Sequence, residues 1–291
     1  MDRLPDAPPP GSPMLPPDAL RDETVLVTGG GTGLGRAMAV EFARCGATVA
    51  IASRDPEHRA AGIEAIAEVG GRGVEAEVDV RDAEAVAAAF DRIESEAGPV
   101  TVLVNNAAGN FPSLATELSP GGWRAVTGIV LDGTFNCSTE FARRRIAADA
   151  PGAILNIAAT YAWTGGPGTA ASAAAKAGVV NLTQSLAVEW APHGIRVNAL
   201  APGRFPHRKV LEQMRGSAPV DDGSSTVPAG RVGSPHEVGY AAVWMCSPFA
   251  AYLTGHTMVL DGGNWLRRGL VMPEFEPVED QLRHLRGEDE R

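Results

Sequence analysis

The sequence predicts a single doubly wound α/β domain built on one parallel sheet, a Rossmann-type fold. Three observations predict it. From residue 24 onward, short β-branched runs alternate with longer alanine-rich amphipathic stretches. The strand runs are apolar without clean alternation, as expected of strands covered on both faces. Each is followed by a helical stretch long enough to make a parallel crossover. With 291 residues and 44% hydrophobic content the chain can bury one large core, and no internal repeat divides it.

In chain order the strand runs are Thr24–Thr28, Thr48–Ser53, Gly73–Val78, Val100–Asn105, Ala153–Ala158, Arg196–Ala201 and Met258–Asp261. A helix is expected from about Leu34, and others over Ala83–Ala97 and Ser172–Trp190. The last two are rich in small residues, so they either pack across a two-fold axis in a homo-oligomer or face their own sheet. In such a sheet the ligand lies beyond the carboxyl ends of the strands, where the strand order reverses. Residues 1–20, with seven prolines in the first seventeen, read as a flexible tail of a kind that can drape on a neighbouring subunit. Residues 21–265 read as the catalytic domain and 266–291 as a C-terminal extension ending in a solvated acidic run. Within the domain, residues 203–231 are polar and turn-rich and read as a substrate loop.

The net charge of -10 and pI near 5.1 argue against nucleic acid or an anionic membrane surface as partner. No apolar run approaches a bilayer span, and no signal or transit pattern opens the chain. Cys45, Cys137 and Cys246 lie far apart, without a CxxC pair or a histidine at ligand spacing, so no metal site is expected and the cysteines read as small core residues. A reduced cytoplasmic protein fits these features.

The segment Thr28-Gly-Gly-Gly-Thr-Gly-Leu-Gly35 stands between the first strand and the first helix. Missing side chains at Gly29, Gly31, Gly33 and Gly35 let backbone N–H groups and the helix N-terminus reach a pyrophosphate, with Thr28, Thr32 and Leu34 filling the loop. A glycine-rich turn with no ligand is the alternative. The second strand ends Ala52-Ser53-Arg54, with no acid to bind free ribose hydroxyls. Ser53 and Arg54, with Arg36 behind the loop, suit the extra phosphate of NADP(H), unless Arg54 is only a surface residue and Asp55 folds toward the ribose.

These motifs, with Asp79-Val80, Asn105-Asn-Ala-Ala-Gly109, Lys176 and Ala201-Pro-Gly203, resemble the short-chain dehydrogenase/reductase family over residues 20–265. The resemblance implies that Asp79 and Val80 contact adenine, that Asn106, Ala107 and Ala108 line the cofactor, and that Pro202 and Gly203 touch the nicotinamide. At the family's catalytic Asn, Ser and Tyr positions stand Val130, Ala159 and Ser172, and only Lys176 is kept. The pattern is similar instead to the 2,4-dienoyl-CoA reductase branch, which shares Met14-Leu-Pro-Pro17, Ala52-Ser-Arg54, Asp79-Val-Arg-Asp82, Asn105 to Phe111, and a tyrosine fifteen residues before the lysine. That branch implies Tyr161 as proton donor, Asn110 as its partner at the thioester oxygen, Lys176 as ribose ligand and Ser172 as a supporting hydroxyl. Arg81, Phe111 and Ser119 fall where it touches its acyl-CoA.

The implied reaction is NADPH-dependent reduction of a 2,4-dienoyl-CoA to a 3-enoyl-CoA in unsaturated fatty acid β-oxidation, in a tetramer. Hydride goes to the δ carbon and a proton to the α carbon. A phenol ionises at roughly pH 10, so a nearby cation is needed to make Tyr161 useful at neutral pH, and Lys176 offers one. Alternatives stay open for each group: Tyr161 closing the sheet edge, Asn110 as a turn residue, Ser172 packing among alanines, and Asp132 either bonding nearby backbone or assisting proton transfer. Arg204, His207, Arg208 and Lys209 form a basic cluster for CoA phosphates or a solvated loop face. Rival readings are a 2-enoyl-CoA reductase, a reductase of secondary metabolism, and a non-catalytic NADP-binding protein.

Overall fold

The computed structural model describes residues 8–12, 14–205, 224–266 and 277–286. Strands β1 (Thr24–Thr28), β2 (Thr48–Ser53), β3 (Arg72–Glu77), β4 (Val102–Asn105), β5 (Gly152–Ile157), β6 (Ile195–Pro202) and β7 (Thr257–Leu260) form one parallel sheet in the order β3-β2-β1-β4-β5-β6-β7. All seven expected runs are strands, with ends shifted by one or two residues. Among the described residues the helices are α1 (Gly33–Arg44), α2 (Pro56–Glu68), α3 (Ala83–Ala97), α4 (Pro120–Thr127), α5 (Gly133–Ala147), α6 (Tyr161–Thr164), α7 (Ala170–Trp190), α8 (Pro235–Cys246) and α9 (Val278–Arg286).

The two faces of the sheet are separate cores, set by the period-2 side-chain alternation of the strands. Val25, Val27, Val49, Ile51, Val102 and Val104 meet Met38 and Phe42 of α1, Ile66 of α2 and Val243 of α8. Leu26, Ala50, Ala52 and Leu103 point the other way, onto Phe90 and Ile93 of α3, Phe141 of α5 and Leu186 and Trp190 of α7. The apolar stripe of α3 is therefore spent on its own sheet. Burial on both faces explains why the strand runs read as continuously apolar.

Helices α4 and α5 are joined through a π-helical stretch, Gly128–Asp132, where the Gly133 N–H bonds back to the Gly128 carbonyl. A β-carbon on Gly133 would lie 2.5 Å from Val80 Cγ2, so glycine is needed where this helix crosses the end of β3. Such π turns concentrate at functional sites.

Two regions carry structure that the sequence did not predict, and a third lies largely outside the described residues. The tail is in part packed: Leu20 is buried and donates its N–H to Cys45 O at 2.9 Å, and the carbonyls of Pro8 and Pro9 face His236 Nε2 and Tyr240 Oη, both at 3.1 Å, on α8 of the same chain. The proline run hid this because it supplies carbonyl acceptors without a periodic pattern. The C-terminal extension carries α9, whose Leu282 is buried against Gly168. Of the expected loop 203–231, residues 206–223 lie outside the described residues, and with them His207, Arg208 and Lys209. No helix among the described residues is long and apolar enough to cross a membrane.

Candidate active site

A groove of about 1850 Å³ runs across the carboxyl ends of the strands, at the reversal of strand order between β1 and β4. Its walls include Gly29, Thr32, Gly33, Leu34 and Gly35 from the glycine loop, then Ser53, Arg54, Asp79 and Val80. They continue through Asn106, Ala107 and Ala108 to Tyr161, Lys176, Pro202 and Gly203. The expected cofactor residues are thus brought together, apart from Thr28 and Gly31, which have other work. Thr28 Oγ1 accepts the N–H groups of Asn106 and Ala107, each at 3.0 Å, and donates to Val104 O, tying the glycine loop to the strand across the switch point. Gly31 lies so close to α2 that a β-carbon there would meet His58 O at 1.8 Å.

The glycine loop fits an anionic group. Gly29 and Gly33 have φ of +65° and +52°, which side-chain-bearing residues avoid. Helices α2 and α3 are capped by the carboxylates of Asp55 and Asp82, whereas α1 starts without a side-chain cap and without an acid in its first turn. Its N-terminal amides face the groove with the positive end of the helix dipole. Beside it, Asp55 accepts from Glu57 N and His58 N at 2.9 and 3.3 Å. The one acid near the end of β2 is thereby engaged in capping. The Arg54 side chain is 60% exposed, and among the described residues its ion-pair partner is Asp79, at 3.9 Å. Asp79 belongs chiefly to Arg81, whose Nε donates to both carboxylate oxygens at 2.9 and 3.1 Å; that hydrogen bonding lowers the Asp79 carboxyl to about 2.

The other end of the groove is lined by Tyr161 and Lys176. Ser172 and Lys176 stand one turn apart on α7 and share a face. Tyr161 projects from the short helix α6, and its hydroxyl lies 3.0 Å from Ser172 Oγ. The tyrosine thus reaches, from another part of the chain, the helix face on which Lys176 also stands. Lys176 is 6% exposed and its ammonium donates to the carbonyl of Ile157, at the end of β5. Burial pulls its pKa from 10.5 down to about 8, so it remains mainly protonated at neutral pH and supplies a cation at the floor of the site. Below this floor, Asn105 donates to Ser138 Oγ and Asn156 Oδ1, and Asn156 donates to Thr183 Oγ1, all at 2.9 Å, so β4, β5, α5 and α7 are locked together.

A consequence for stability follows from the lysine. Between about pH 8 and 10.5 the unfolded chain holds this proton and the folded chain does not, so stability rises with pH across that window. The penalty present below pH 8 is on the order of 3 kcal/mol. Urea titrations of wild type and Lys176→Met at pH 7.5 and 10 should show the variant lacking this rise; parallel curves would mean that the lysine is not desolvated.

A family model described as enoyl-(acyl carrier protein) reductase matches residues 29–264. The chain belongs to the short-chain dehydrogenase/reductase family. It is 40% identical over 252 residues to a probable 2,4-dienoyl-CoA reductase, (2E)-enoyl-CoA-producing, of Bacillus subtilis, covering 85% of this chain and 98% of that one. It is 38% identical to a peroxisomal 2,4-dienoyl-CoA reductase, (3E)-enoyl-CoA-producing, of Pongo abelii, covering 86% of each. Among solved structures, a short chain dehydrogenase from Bacillus anthracis superposes with a TM-score of 0.77 at 40% identity, covering 86% and 99% of the two chains. A putative 2-deoxy-D-gluconate 3-dehydrogenase from Agrobacterium tumefaciens with bound NADP does so with 0.77 at 33%, covering the same shares.

Against this short-chain dehydrogenase/reductase frame, several expected residues sit apart from the groove. Asn110 is exposed and has no hydrogen bond with Tyr161. Phe111 is 46% exposed, with its ring edge over Gly122 at the start of α4. Ser119 caps α4 by accepting from Gly122 N at 3.0 Å. The guanidinium of Arg81 is committed to Asp79. Asp132 is exposed and its carboxylate makes no hydrogen bond to backbone among the described residues, so the backbone-bonding reading is corrected: in the π stretch the N–H groups have helical partners already. Two of the three cysteines are core residues as read: Cys137 and Cys246 are buried, which pushes both thiols up to about 12, while Cys45 is partly buried and packs against the core from the end of α1.

Two features escaped the sequence. The Ile157 carbonyl anchors Lys176, and backbone acceptors leave no mark in a side-chain pattern. Arg59 is buried beneath the end of β2, where its one signal was a cation in the first turns of a helix, the end that favours acids.

Proposed function

We propose that this oxidoreductase reduces 2,4-dienoyl-CoA thioesters with NADPH, giving a 3-enoyl-CoA, in the breakdown of unsaturated acyl chains. The observation that carries the reading is the hydrogen bond between Tyr161 and Ser172 one turn from Lys176, at the end of a groove whose other end is a glycine loop. The printed names of the Bacillus and Pongo relatives support the substrate class. When bound, the nicotinamide supplies hydride.

The chain's residues divide the remaining work. Tyr161 donates toward the thioester oxygen as negative charge develops there, and delivers the proton taken up at the α carbon. Ser172 holds the phenol in place, and Lys176, anchored on the Ile157 carbonyl, stands one turn along the same helix face as a ligand for the cofactor ribose. Asn110 reaches the same oxygen once substrate brings the 106–119 loop inward, which its exposed position leaves free to happen. Phe111 and Ser119 border the acyl side, and Arg204 the CoA side. The enzyme works as a cytoplasmic homotetramer, to which the exposed apolar side chains of Phe135 on α5 and Val188 on α7 are suited.

The two relatives differ in product, (2E) against (3E), so the position of the remaining double bond is the test of the chemistry. NMR of the product from a medium-chain 2,4-dienoyl-CoA should show a 3-enoyl thioester; a 2-enoyl product would place protonation elsewhere and remove the α-carbon role from Tyr161.

For the cofactor, Ser53 and Arg54 favour NADPH because they offer a hydroxyl and an exposed guanidinium, whose neighbour Asp79 is held chiefly by Arg81, while Asp55 is turned to its helix cap. Arg54→Ala should weaken NADPH binding by about tenfold, with NADH binding held within about twofold. An unchanged ratio of the two dissociation constants would make Arg54 a surface residue only.

A further inference from the structure

We propose that Arg59, which does not itself line the groove, is the positioning residue that fixes the turn after β2 and thereby sets the preference for NADPH over NADH. The inference rests on the reading of Ser53 and Arg54 as the 2′-phosphate site.

Arg59 lies in the second turn of α2, its side chain 9% exposed. Its Nη1 donates to two successive carbonyls, Ser53 O at 2.7 Å and Arg54 O at 3.0 Å. Its Nε and Nη2 face the carboxylates of Glu75 and Glu77 on β3, at 3.5 and 3.8 Å. Stability alone is a poor explanation for this arrangement. The cation sits near a helix N-terminus, where the dipole disfavours it, and its buried Nε makes no hydrogen bond. Buried charges held this loosely seldom return their desolvation cost.

The benefit lies in the turn. Ser53 O also accepts from Val78 N at 3.3 Å, Ser53 Oγ donates to Asp55 O at 3.2 Å, and the Asp55 carboxylate caps α2. Every backbone carbonyl from 53 to 55 therefore has a donor, and among the described residues Arg59 is the one side chain that bonds to both residues of the phosphate site. The side chain of Arg54 is mostly exposed, and its acidic neighbour Asp79, at 3.9 Å, is held chiefly by Arg81, so the direction of Arg54 is inherited from its backbone. Loosening that backbone costs the cofactor that uses Arg54 and spares the one that does not. A lysine carries the charge but not the planar fork that spans two carbonyls and two carboxylates.

The test is fluorescence titration of NADPH and NADH into the full-length protein and its Arg59→Met, Arg59→Lys and Arg54→Ala variants, with kcat at saturating NADPH measured alongside. Arg59→Met should weaken NADPH by about tenfold, leave NADH within about twofold and leave kcat unchanged, with Arg59→Lys intermediate. Should the methionine variant fail to fold, the lysine variant still reads the effect, as a loss of about threefold to fivefold confined to NADPH. Equal weakening of both cofactors would make Arg59 a fold residue and overturn the inference. So would a normal NADPH affinity in Arg59→Met beside a weakened one in Arg54→Ala. A wild-type protein that binds NADH as tightly as NADPH would overturn both this inference and the cofactor reading beneath it.

Discussion

Tyr161→Phe should lower kcat on a 2,4-dienoyl-CoA by about 10² to 10⁴, the range that a positioned proton donor supplies, while NADPH binding stays within about twofold. The separation is expected because, among the described residues, the phenol's hydrogen-bond partner is Ser172 and not any part of the glycine loop. Loss of the hydroxyl leaves Ser172 Oγ, 2% exposed, without that partner, at a cost of about 1 kcal/mol. A thermal shift of a few degrees is therefore compatible with the account. Stopped-flow single turnovers distinguish lost chemistry from slowed product release. Turnover preserved within about threefold would remove Tyr161 from the reaction.

Gly35→Ala should abolish measurable NADPH binding and lower stability, for a steric reason that can be read atom by atom. A β-carbon at position 35 would stand 2.4 Å from Gly29 O and 2.5 Å from Asn106 Nδ2. Neither neighbour can move aside cheaply. Gly29 O belongs to backbone in the left-handed region, and the Asn106 amide already donates to Thr28 O and Gly29 O at 3.0 and 3.2 Å. The loop must open, which misaligns the α1 amides; NADPH affinity should fall by about a hundredfold and stability by about 2 kcal/mol. Gly121→Ala is the control: its β-carbon would meet only Ser119 Oγ, at 3.7 Å, inside α4, and should raise stability by up to about 1 kcal/mol. Isothermal titration with NADPH and urea unfolding of the two variants check both halves; tight binding by Gly35→Ala would show that the loop does not contact the cofactor.

The fold was legible because the code for it is repetitive. Strand runs such as Val25–Val27 and Val102–Val104 are buried on both faces, and this leaves an uninterrupted apolar signature that survives without knowledge of what covers it. The glycine loop was legible for a different reason: Gly29, Gly33 and Gly35 mark backbone states and approaches that other residues do not tolerate. The meeting of Tyr161 with Ser172 was only half legible. Spacing gave Ser172 and Lys176 one helix face, but nothing local foretells that the four-residue helix α6 would carry Tyr161 back to α7. The Pro8–Pro9 contacts with α8 and the helix α9 were not legible at all. In the first the acceptors are backbone carbonyls, and in the second an acidic, arginine-rich stretch hides one anchoring residue, Leu282.

Asn110 and Phe111 show where resemblance and geometry part. Both lie on the 106–119 loop, linked to the 165–169 turn by the Ser113 N–H to Gly168 O bond at 2.8 Å, and α9 packs on that same glycine. The loop is held at its start by the bonds of Asn106 and Ala107 to Thr28, at Ser113, and at its end by Leu118 and Ser119, so the segment between Ala108 and Pro112 is the part that can bring Asn110 toward the site without unfolding its neighbours.

The central claim is that the Tyr161, Ser172 and Lys176 constellation serves a conjugated thioester and not a ketone. The direct test is NADPH consumption by the purified protein with a medium-chain 2,4-dienoyl-CoA, the matching 2-enoyl-CoA and the matching 3-ketoacyl-CoA, each at equal concentration. The account predicts turnover on the dienoyl thioester with the other two at least about tenfold slower in kcat/KM. Faster turnover of the 3-ketoacyl thioester, or none of the dienoyl, would contradict it.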